Sequence, residues 1–295
     1  MKKKIVFFTG SRADFGLLSN LIKKVQKKIS NTYLIVSGTH FSKKYGFTLN
    51  EIKNEKIRNI IKAPVDINKT NDLSIVKNFS NTTKTIGKKI NNLKPNLFVV
   101  LGDRYETLAA SIAAMMNRIP IVHINGGELT EGAYDDSIRH SVSKMSHIHF
   151  TSHKIYKKRL VQMGENKKNI YNFGSLGASS SKHDKLFNKK EILDQLKIIT
   201  NCKYFVITFH PVTLDKKLSK KYFKNLLDCL SKYKNIYKIF TFPNADNESS
   251  ELINIIKKYK KKHSNVLIFK SLGKKKYFSL IKYSSGLIGN SSSGI

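Results

Sequence analysis

The sequence predicts an α/β protein built from two doubly wound domains, each with helices on both faces of a parallel sheet. Short apolar, β-branched runs alternate with amphipathic stretches of helical period along the whole chain. The length of 295 residues fits two domains of roughly 150 residues each. A composition of 40% hydrophobic and 10% aromatic residues is that of a packed globular protein.

The first domain is predicted over residues 1–174. It opens with a buried strand at 5–9, followed by a helix over 15–28 whose apolar residues recur at helical spacing. The segment 57–64 is ambiguous. Further strands are predicted at 33–37, 97–101, 119–124, 148–151 and 170–173, and further helices at 73–93, 107–116, 137–145 and 155–163.

The second domain is predicted over residues 175–295, after a connection at 174–190 that is rich in Gly, Ser and Lys. A Gly/Ser loop at 289–294 follows its last strand, and such a loop normally leads into a helix that covers the sheet. Either the chain is incomplete here or its second domain is unusually small. Its strands are predicted at 204–209, 237–242, 266–269 and 286–288, and its helices at 221–232, 250–260 and 276–283.

The formal net charge of +34 raises the possibility of a nucleic-acid partner. Only six of the 54 basic residues are arginines, and arginine is the residue suited to forked phosphate contacts. The lysines are spread along the chain without the interleaved aromatic residues of a single-strand binder. We expect a solvated, lysine-biased surface and no nucleic-acid partner.

The two cysteines, Cys202 and Cys229, form no CxxC or disulfide pattern, which favours a reducing compartment. The apolar run at 5–8 is too short for a signal peptide. No stretch approaches the 18 or more apolar residues of a membrane span. The expected protein is cytoplasmic, with no membrane partner.

Ligands of open α/β sheets bind beyond the carboxyl ends of the strands, so the residues that follow each strand are the candidate site. After the first strand, a Gly-containing turn leads into a helix N-terminus with free backbone N–H groups, where Arg12 can bind a phosphate and Asp14 can cap the helix. His40 follows the second strand and is a less specific candidate for substrate binding.

The densest polar residues follow the next two strands of the first domain. Asp103 and Arg104 stand on a sharp turn, where a partly desolvated carboxylate is suited to proton transfer. Glu106 falls in the first turn of the next helix, where the helix dipole alone explains a carboxylate. Glu128 and Asp135 belong to the polar cluster after the following strand.

In the second domain, His210 directly follows the first strand. The loop with Asn290, Ser291, Ser292 and Ser293 can bind phosphate or ribose through hydroxyl and backbone N–H groups. No HExxH or paired Cys/His spacing suggests a metal, and no GxSxG elbow suggests a serine nucleophile. Carboxylates and anion-binding groups fit chemistry on a nucleotide-linked sugar, with no cofactor.

Five motifs in order, TGSRADFGLL, GDRYETLAA, GGELTEGAYDDSIRHSVSKMSH, TFHPVTL and IGNSSSGI, span nearly the whole chain. Together they resemble the UDP-N-acetylglucosamine 2-epimerase family. The GSRAD and DDSIRH segments favour its hydrolysing branch, which serves sialic, legionaminic and related nonulosonic acid biosynthesis. The resemblance implies a GT-B-like pair of Rossmann-type domains with a UDP-sugar in the central cleft, and a homodimer.

Similar enzymes remove the C2 proton, expel UDP to form a glycal-like intermediate and add water, which releases the epimerised sugar. The resemblance assigns acid/base roles to Asp103 and Asp135 and substrate orientation to Arg104. It assigns nucleotide binding to Arg12, His210 and the serines of the 291–293 loop. The expected substrate is UDP-N-acetylglucosamine, which gives N-acetylmannosamine, or UDP-N,N'-diacetylbacillosamine.

Two departures from the family pattern stand out. Many relatives carry a catalytic Glu where this chain has Asn125, so its role passes to Glu128 or the substrate differs. Relatives also continue past GNSSSGI with a ribose-contacting Glu and further helices, which leads us to expect a truncated second domain with weakened nucleotide binding and stability. Four alternatives remain: a non-hydrolysing epimerase, a GT-B glycosyltransferase, a nucleic-acid-binding protein and an inactive truncated remnant.

Overall fold

The chain folds into two compact units. The computed structural model describes residues 3–67, 69, 71–183, 185–199, 202–212, 214 and 218–291. The first unit comprises Met1–Lys43, Phe47–Asn68 and Leu73–His183, and the second comprises Lys44–Gly46, Lys69–Asp72 and Asp184–Ile295. Each unit contains its own parallel sheet.

The sheet of the first unit has seven strands in the order β3-β2-β1-β4-β5-β6-β7, and all neighbouring strands are parallel. The central strands are almost continuously apolar because both faces of a parallel sheet are covered. The strands are β1 Ile5–Thr9, β2 Thr32–Val36, β3 Ile60–Lys62, β4 Leu97–Leu101, β5 Ile121–Ile124, β6 Ile148–Thr151 and β7 Ile170–Asn172.

Two hydrophobic cores cover the two faces of this sheet. Along β1, Val6 and Phe8 pack into one core and Phe7 packs into the other, as the two-residue period of a strand requires. The helices that surround the sheet are α1 Arg12–Lys28, α2 Leu49–Asn54, α3 Asp72–Leu93, α4 Tyr105–Met116, α5 Asp135–Met145, α6 Lys154–Gln162 and α7 Leu176–His183.

The sheet of the second unit has four strands in the order β10-β9-β8-β11, again all parallel. Its two faces are covered by separate apolar clusters, one around Phe223 and Phe240 and the other around Tyr204 and Leu280. The elements are α8 Lys189–Gln195, β8 Lys203–Thr208, α9 Leu218–Ser231, β9 Ile236–Thr241, α10 Ser249–Lys262, β10 Val266–Phe269, α11 Gly273–Lys282 and β11 Gly286–Gly289.

The predicted α/β class with parallel sheets is confirmed, and the predicted long elements are present within a few residues of their expected bounds. Three short helices are not predicted by the sequence. Helix α2 has only six residues, too few for a periodic signal. Helix α7 lies within 174–190 and is made of small residues, with Gly177 close to Leu17 of α1. Helix α8 begins at a capping box between Asn188 and Glu191.

Each sheet reverses its strand order at one place, between β1 and β4 in the first unit and between β8 and β11 in the second. Ligands of open α/β sheets bind at the carboxyl ends of the strands beside such a reversal. The turns that follow these four strands, and the neighbouring turn after β5, are therefore the places to look for a site. Within the described residues, no helix is long and apolar enough to cross a membrane.

The turn after β2 requires a glycine at position 38. Gly38 has φ +59°, and a Cβ there would overlap the carbonyl oxygen of Gly10 in the turn after β1. The same carbonyl accepts a 2.8 Å hydrogen bond from the backbone N–H of Thr39. The two turns are therefore packed main chain against main chain.

We expect Gly38→Ala to lower the free energy of unfolding by at least about 1–3 kcal/mol, because left-handed strain alone costs that much. Gly16→Ala is the matched control, since Gly16 lies in α1 with no atom within 4 Å of an added Cβ. It should raise stability by up to about 1 kcal/mol. Denaturant unfolding followed by circular dichroism measures both, and equal midpoints for the two variants would contradict the prediction.

Candidate active site

Asp14 organises the turn between β1 and α1. Its carboxylate accepts hydrogen bonds from the backbone N–H groups of Gly10 (2.9 Å), Ser11 (3.0 Å) and Phe15 (2.8 Å) and from the hydroxyl of Thr9 (2.9 Å). The sequence predicts free N–H groups here for a phosphate, but Asp14 occupies those of Gly10 and Ser11. These two N–H groups are therefore not available to an anion, and Arg12, half-buried at the start of α1, remains the candidate.

His40 supports this turn from beneath. The ring is fully buried, with Nε2 3.0 Å from the Thr9 hydroxyl and Nδ1 2.8 Å from the Thr48 hydroxyl. Since the Thr9 hydroxyl donates to Asp14, Nε2–H of His40 donates to Thr9, and Nδ1 accepts from Thr48. Burial lowers the pKa of His40 to about 4, so the ring is neutral at pH 7. The structure places His40 as a support of the Asp14 network.

A buried arginine joins the turns that follow β4 and β5. Arg139, on α5, is 3% exposed, and its Nη2 forms an ion pair with the carboxylate of Asp103. Nη1 donates to the Glu128 carbonyl at 2.8 Å and pairs with the Asp136 carboxylate at 2.9 Å, and Nη2 also donates to the Thr130 hydroxyl at 3.0 Å. Burial lowers the pKa of Arg139 to about 10, which leaves it charged at pH 7.

Glu128 joins this group through its main-chain carbonyl, and its carboxylate makes a separate contact. Its Oε1 accepts a 2.6 Å hydrogen bond from the Ser152 hydroxyl at the tip of β6. Burial raises the pKa of Glu128, and the Ser152 hydrogen bond opposes that rise. A carboxyl group whose pKa lies above its ordinary value exchanges protons more readily near neutral pH, which suits it to acid/base chemistry.

The remaining sequence candidates of the first unit are Arg104 and Asp135. The Arg104 guanidinium forms an ion pair with the buried Glu106 at 3.2 Å. Glu106 therefore does more than complement the helix dipole, since it anchors Arg104 and lies 2.9 Å from the place where a Cβ on Gly10 would be. Asp135 is the first residue of α5 and is half-buried, while its neighbour Asp136 makes the contact with Arg139.

His123 on β5 fixes the turn that carries Asp103. Its ring is fully buried, with Nε2 2.8 Å from the Gly102 carbonyl and Nδ1 3.0 Å from the Ser143 hydroxyl of α5. Because a carbonyl only accepts, Nε2 carries the proton and Nδ1 accepts from Ser143. Burial lowers the pKa of His123 to about 4, so it is neutral at pH 7. Gly102 has φ +79°, which glycine adopts readily, and this hydrogen bond holds the turn immediately before Asp103.

In the second unit, the turns after β8 and β11 bind each other. The backbone N–H of His210 donates to Asn290 Oδ1 at 2.7 Å, and Asn290 Nδ2 donates back to the His210 carbonyl at 2.9 Å. Gly289 permits this approach, because a Cβ there would overlap the Thr208 carbonyl. Ser291 follows directly, whereas Ser292 and Ser293 lie outside the described residues.

The structure thus brings the Asp103 carboxylate and the main-chain carbonyl of Glu128 together on Arg139, and it brings His210 and Asn290 together in the second unit. Arg139, His123 and Ser152 join these candidates through contacts that the sequence does not predict, although the sequence already places Arg139 among the arginines of the site and His123 at the same strand end. All three follow or face a strand tip, but their contacts depend on register between elements distant in sequence. In the part of the chain that the structure describes, no three His, Cys, Asp or Glu side chains cluster as metal ligands.

Comparison with known proteins gives a family model and several relatives that this chain matches. The family model described as UDP-N-acetylglucosamine 2-epimerase matches residues 23–295. A "GDP/UDP-N,N'-diacetylbacillosamine 2-epimerase (hydrolyzing)" from Campylobacter jejuni is 42% identical across 100% of this chain and 77% of its own length. The "Polysialic acid biosynthesis protein P7" of Escherichia coli is 39% identical over 99% of this chain and 75% of its own length. A "UDP-N,N'-diacetylbacillosamine 2-epimerase (hydrolyzing)" from Legionella pneumophila is 31% identical over 100% and 78%.

Solved structures agree on the fold. UDP-GlcNAc 2-epimerase from Neisseria meningitidis, bound to UDP-GlcNAc, superposes with a TM-score of 0.76 at 19% identity, covering 98% of this chain and 78% of its own. The Methanocaldococcus jannaschii UDP-GlcNAc 2-epimerase, in complex with UDP-GlcNAc and UDP, gives 0.77 at 18% identity, covering 98% and 79%. The GT-B-like fold expected from the motifs is therefore confirmed.

The buried histidines predict a pH dependence of stability. His40 and His123 have folded-state pKa values of about 4, against 6.5 for the exposed group, so the unfolded chain binds protons first as the pH falls. Their contribution is complete above pH 6.5 and is lost between pH 6.5 and 4, on the order of 3 kcal/mol for each imidazole. We expect the free energy of unfolding to fall across this window, and His123→Gln to show a shallower fall than wild type.

Urea unfolding at pH 7, 6, 5 and 4.5 measures the dependence in both proteins. The comparison with His123→Gln separates the imidazole from carboxylates that titrate in the same window, since those are present in both. Parallel pH dependences for the two proteins would show that His123 does not contribute in this way.

Proposed function

The chain belongs to the UDP-N-acetylglucosamine 2-epimerase family, and we propose that it is a hydrolysing UDP-sugar 2-epimerase that acts on a UDP-linked N-acetylated aminohexose. The observation that carries this proposal is the buried guanidinium of Arg139, which binds the carboxylate of Asp103 and the main-chain carbonyl of Glu128 and so fixes the two residues that carry the candidate carboxyl groups. The relatives that are 42% and 31% identical are both named as hydrolysing enzymes, which favours hydrolysis over simple epimerisation.

Inversion at C2 needs two proton carriers, because the proton leaves from one face of the sugar and returns on the other. We assign these roles to Asp103 and Glu128, and Asp135 remains a third candidate. Removal of the C2 proton forms the C1–C2 double bond as the C1–O bond to UDP breaks. Water then adds, with hydroxide to C1 and a proton to C2, so the products are the free 2-epimer and UDP.

Departure of UDP places negative charge on the diphosphate, which positive and hydrogen-bond-donating groups stabilise. We propose Arg12, His210 and the loop with Asn290, Ser291, Ser292 and Ser293 for this role. Arg104 orients the sugar, and its ion pair with Glu106 fixes the direction of its guanidinium. His40 contributes by holding the turn that precedes Arg12.

UDP-N,N'-diacetylbacillosamine is the substrate we propose first, because the relatives at 42% and 31% identity are named for it. UDP-N-acetylglucosamine is the second, since a Neisseria meningitidis relative at 32% identity is named for it. A place in nonulosonic acid biosynthesis, such as that of sialic or legionaminic acid, fits either substrate. We further propose a cytoplasmic homodimer with no nucleic-acid or membrane partner, which DNA titration at about 200 mM salt and light scattering would test.

We expect incubation with UDP-N,N'-diacetylbacillosamine to release UDP together with the free 2-epimerised sugar. UDP-N-acetylglucosamine should be turned over more slowly. NMR of the products separates the alternatives, because free sugar plus UDP indicates hydrolysis, whereas an equilibrium pair of UDP-sugars indicates a non-hydrolysing epimerase. Absence of any change in either nucleotide sugar would overturn the proposal.

Asp103→Asn should reduce UDP release by about a hundredfold or more, the usual loss when a proton carrier is removed. The amide keeps an oxygen that can accept from Arg139, so the variant should fold. Asp228→Asn, an exposed aspartate on α9, is the matched control and should release UDP at the wild-type rate. Undiminished release by a folded Asp103→Asn protein would remove Asp103 from the mechanism.

A further inference from the structure

Ser152 lies in the turn between β6 and α6, where no motif of the sequence draws attention to it. Its side chain is half-buried, and its hydroxyl donates a 2.6 Å hydrogen bond to Oε1 of Glu128. Ser152 and Glu128 are 24 residues apart, so the contact depends on β5 and β6 being neighbours in the sheet. It therefore joins the tips of two adjacent strands.

The main chain beside Glu128 is held separately. Arg159 of α6 donates to the Gly127 carbonyl, and Arg139 of α5 donates to the Glu128 carbonyl at 2.8 Å. Gly127 has φ +78°, and a Cβ there would lie 2.6 Å from the Tyr156 carbonyl, so the loop passes close against α6. These contacts fix where the Glu128 side chain begins, and the Ser152 hydroxyl acts at its other end, on the carboxylate.

We propose that Ser152 is a positioning residue that holds the Glu128 carboxylate in the orientation needed for proton transfer at C2 of the sugar. The inference rests on the proposed function. With Oε1 engaged by the hydroxyl, Oε2 is the oxygen that takes up or delivers the proton. Ser152 itself neither gains nor loses a proton in the reaction.

The same hydrogen bond also affects the pKa of Glu128. A hydroxyl that donates to a carboxylate stabilises the charged form, whereas burial disfavours it. The pKa of Glu128 is raised by burial and lowered by Ser152, with burial the larger effect. Removing the hydroxyl therefore leaves burial unopposed, and the carboxyl group binds its proton at a higher pH.

The test is the pH dependence of UDP release by Ser152→Ala, with Ser152→Thr as the variant that keeps a hydroxyl. We expect the limb of the kcat/KM profile that reports Glu128 to move upward by about one pH unit in Ser152→Ala, the shift that one hydrogen bond is worth. We expect kcat to fall about tenfold with KM within twofold of wild type. Ser152→Thr should restore most of both, and Ser141→Ala, an exposed serine on α5, should match wild type.

A double-mutant cycle with Glu128→Gln separates positioning from a general loss of structure. If Ser152 acts through Glu128, adding Ser152→Ala to Glu128→Gln changes kcat no further, whereas independent structural damage multiplies. A Ser152→Ala profile that superimposes on wild type, or multiplying losses in the cycle, overturns the inference while wild-type release of UDP still supports the function. Absence of UDP release by wild type overturns the proposed function itself.

Discussion

The candidate site of the first unit depends on the contacts that the buried guanidinium of Arg139 makes. Transfer of a cation out of water costs several kcal/mol, and only well-placed acceptors offset that cost. Here the acceptors come from three places, Asp103 after β4, Glu128 and Thr130 after β5, and Asp136 on α5. Because one rigid fork must satisfy all of them, the strand tips and the helix can meet in only a narrow range of positions. A lysine, with one nitrogen, could not meet that geometry.

Two neutral histidines complete this arrangement. His40 and His123 are buried under the turns after β1 and β4, the two strands beside the reversal of strand order. Each uses one ring nitrogen as donor and the other as acceptor, which a neutral imidazole does and a charged one cannot. Since burial lowers both pKa values to about 4, they fix these turns at pH 7 without adding charge next to Asp14 or Asp103. The charges of the site are therefore those of its arginines and carboxylates.

What the sequence predicts well is what local pattern determines. The strands and long helices follow from apolar periodicity. The rule that ligands bind at strand tips selects Asp103, Glu128, His210 and Asn290 as candidates, and these stay predictions. Sequence pattern does not predict contacts between side chains that are far apart in the sequence. Arg139 is 36 residues from Asp103, and Ser152 is 24 residues from Glu128, so only the order of the strands and the packing of α5 bring them together. After β1, two of the N–H groups expected to be free, those of Gly10 and Ser11, instead donate to the carboxylate of Asp14.

The charge of the chain shows that the positions of the charged residues are more informative than their number. A net charge of +34 describes a surface, as at residues 260–262, three exposed lysines at the end of α10, where positive charge complements the helix dipole. The chain has few arginines, yet Arg104, Arg139 and Arg159 all contact the turns after β4 and β5 or the residues next to them. In each case the guanidinium binds an oxygen that needs a directed donor. The rarer cation is therefore the informative one, and its placement, rather than the total charge, marks the turns that we propose as the active site.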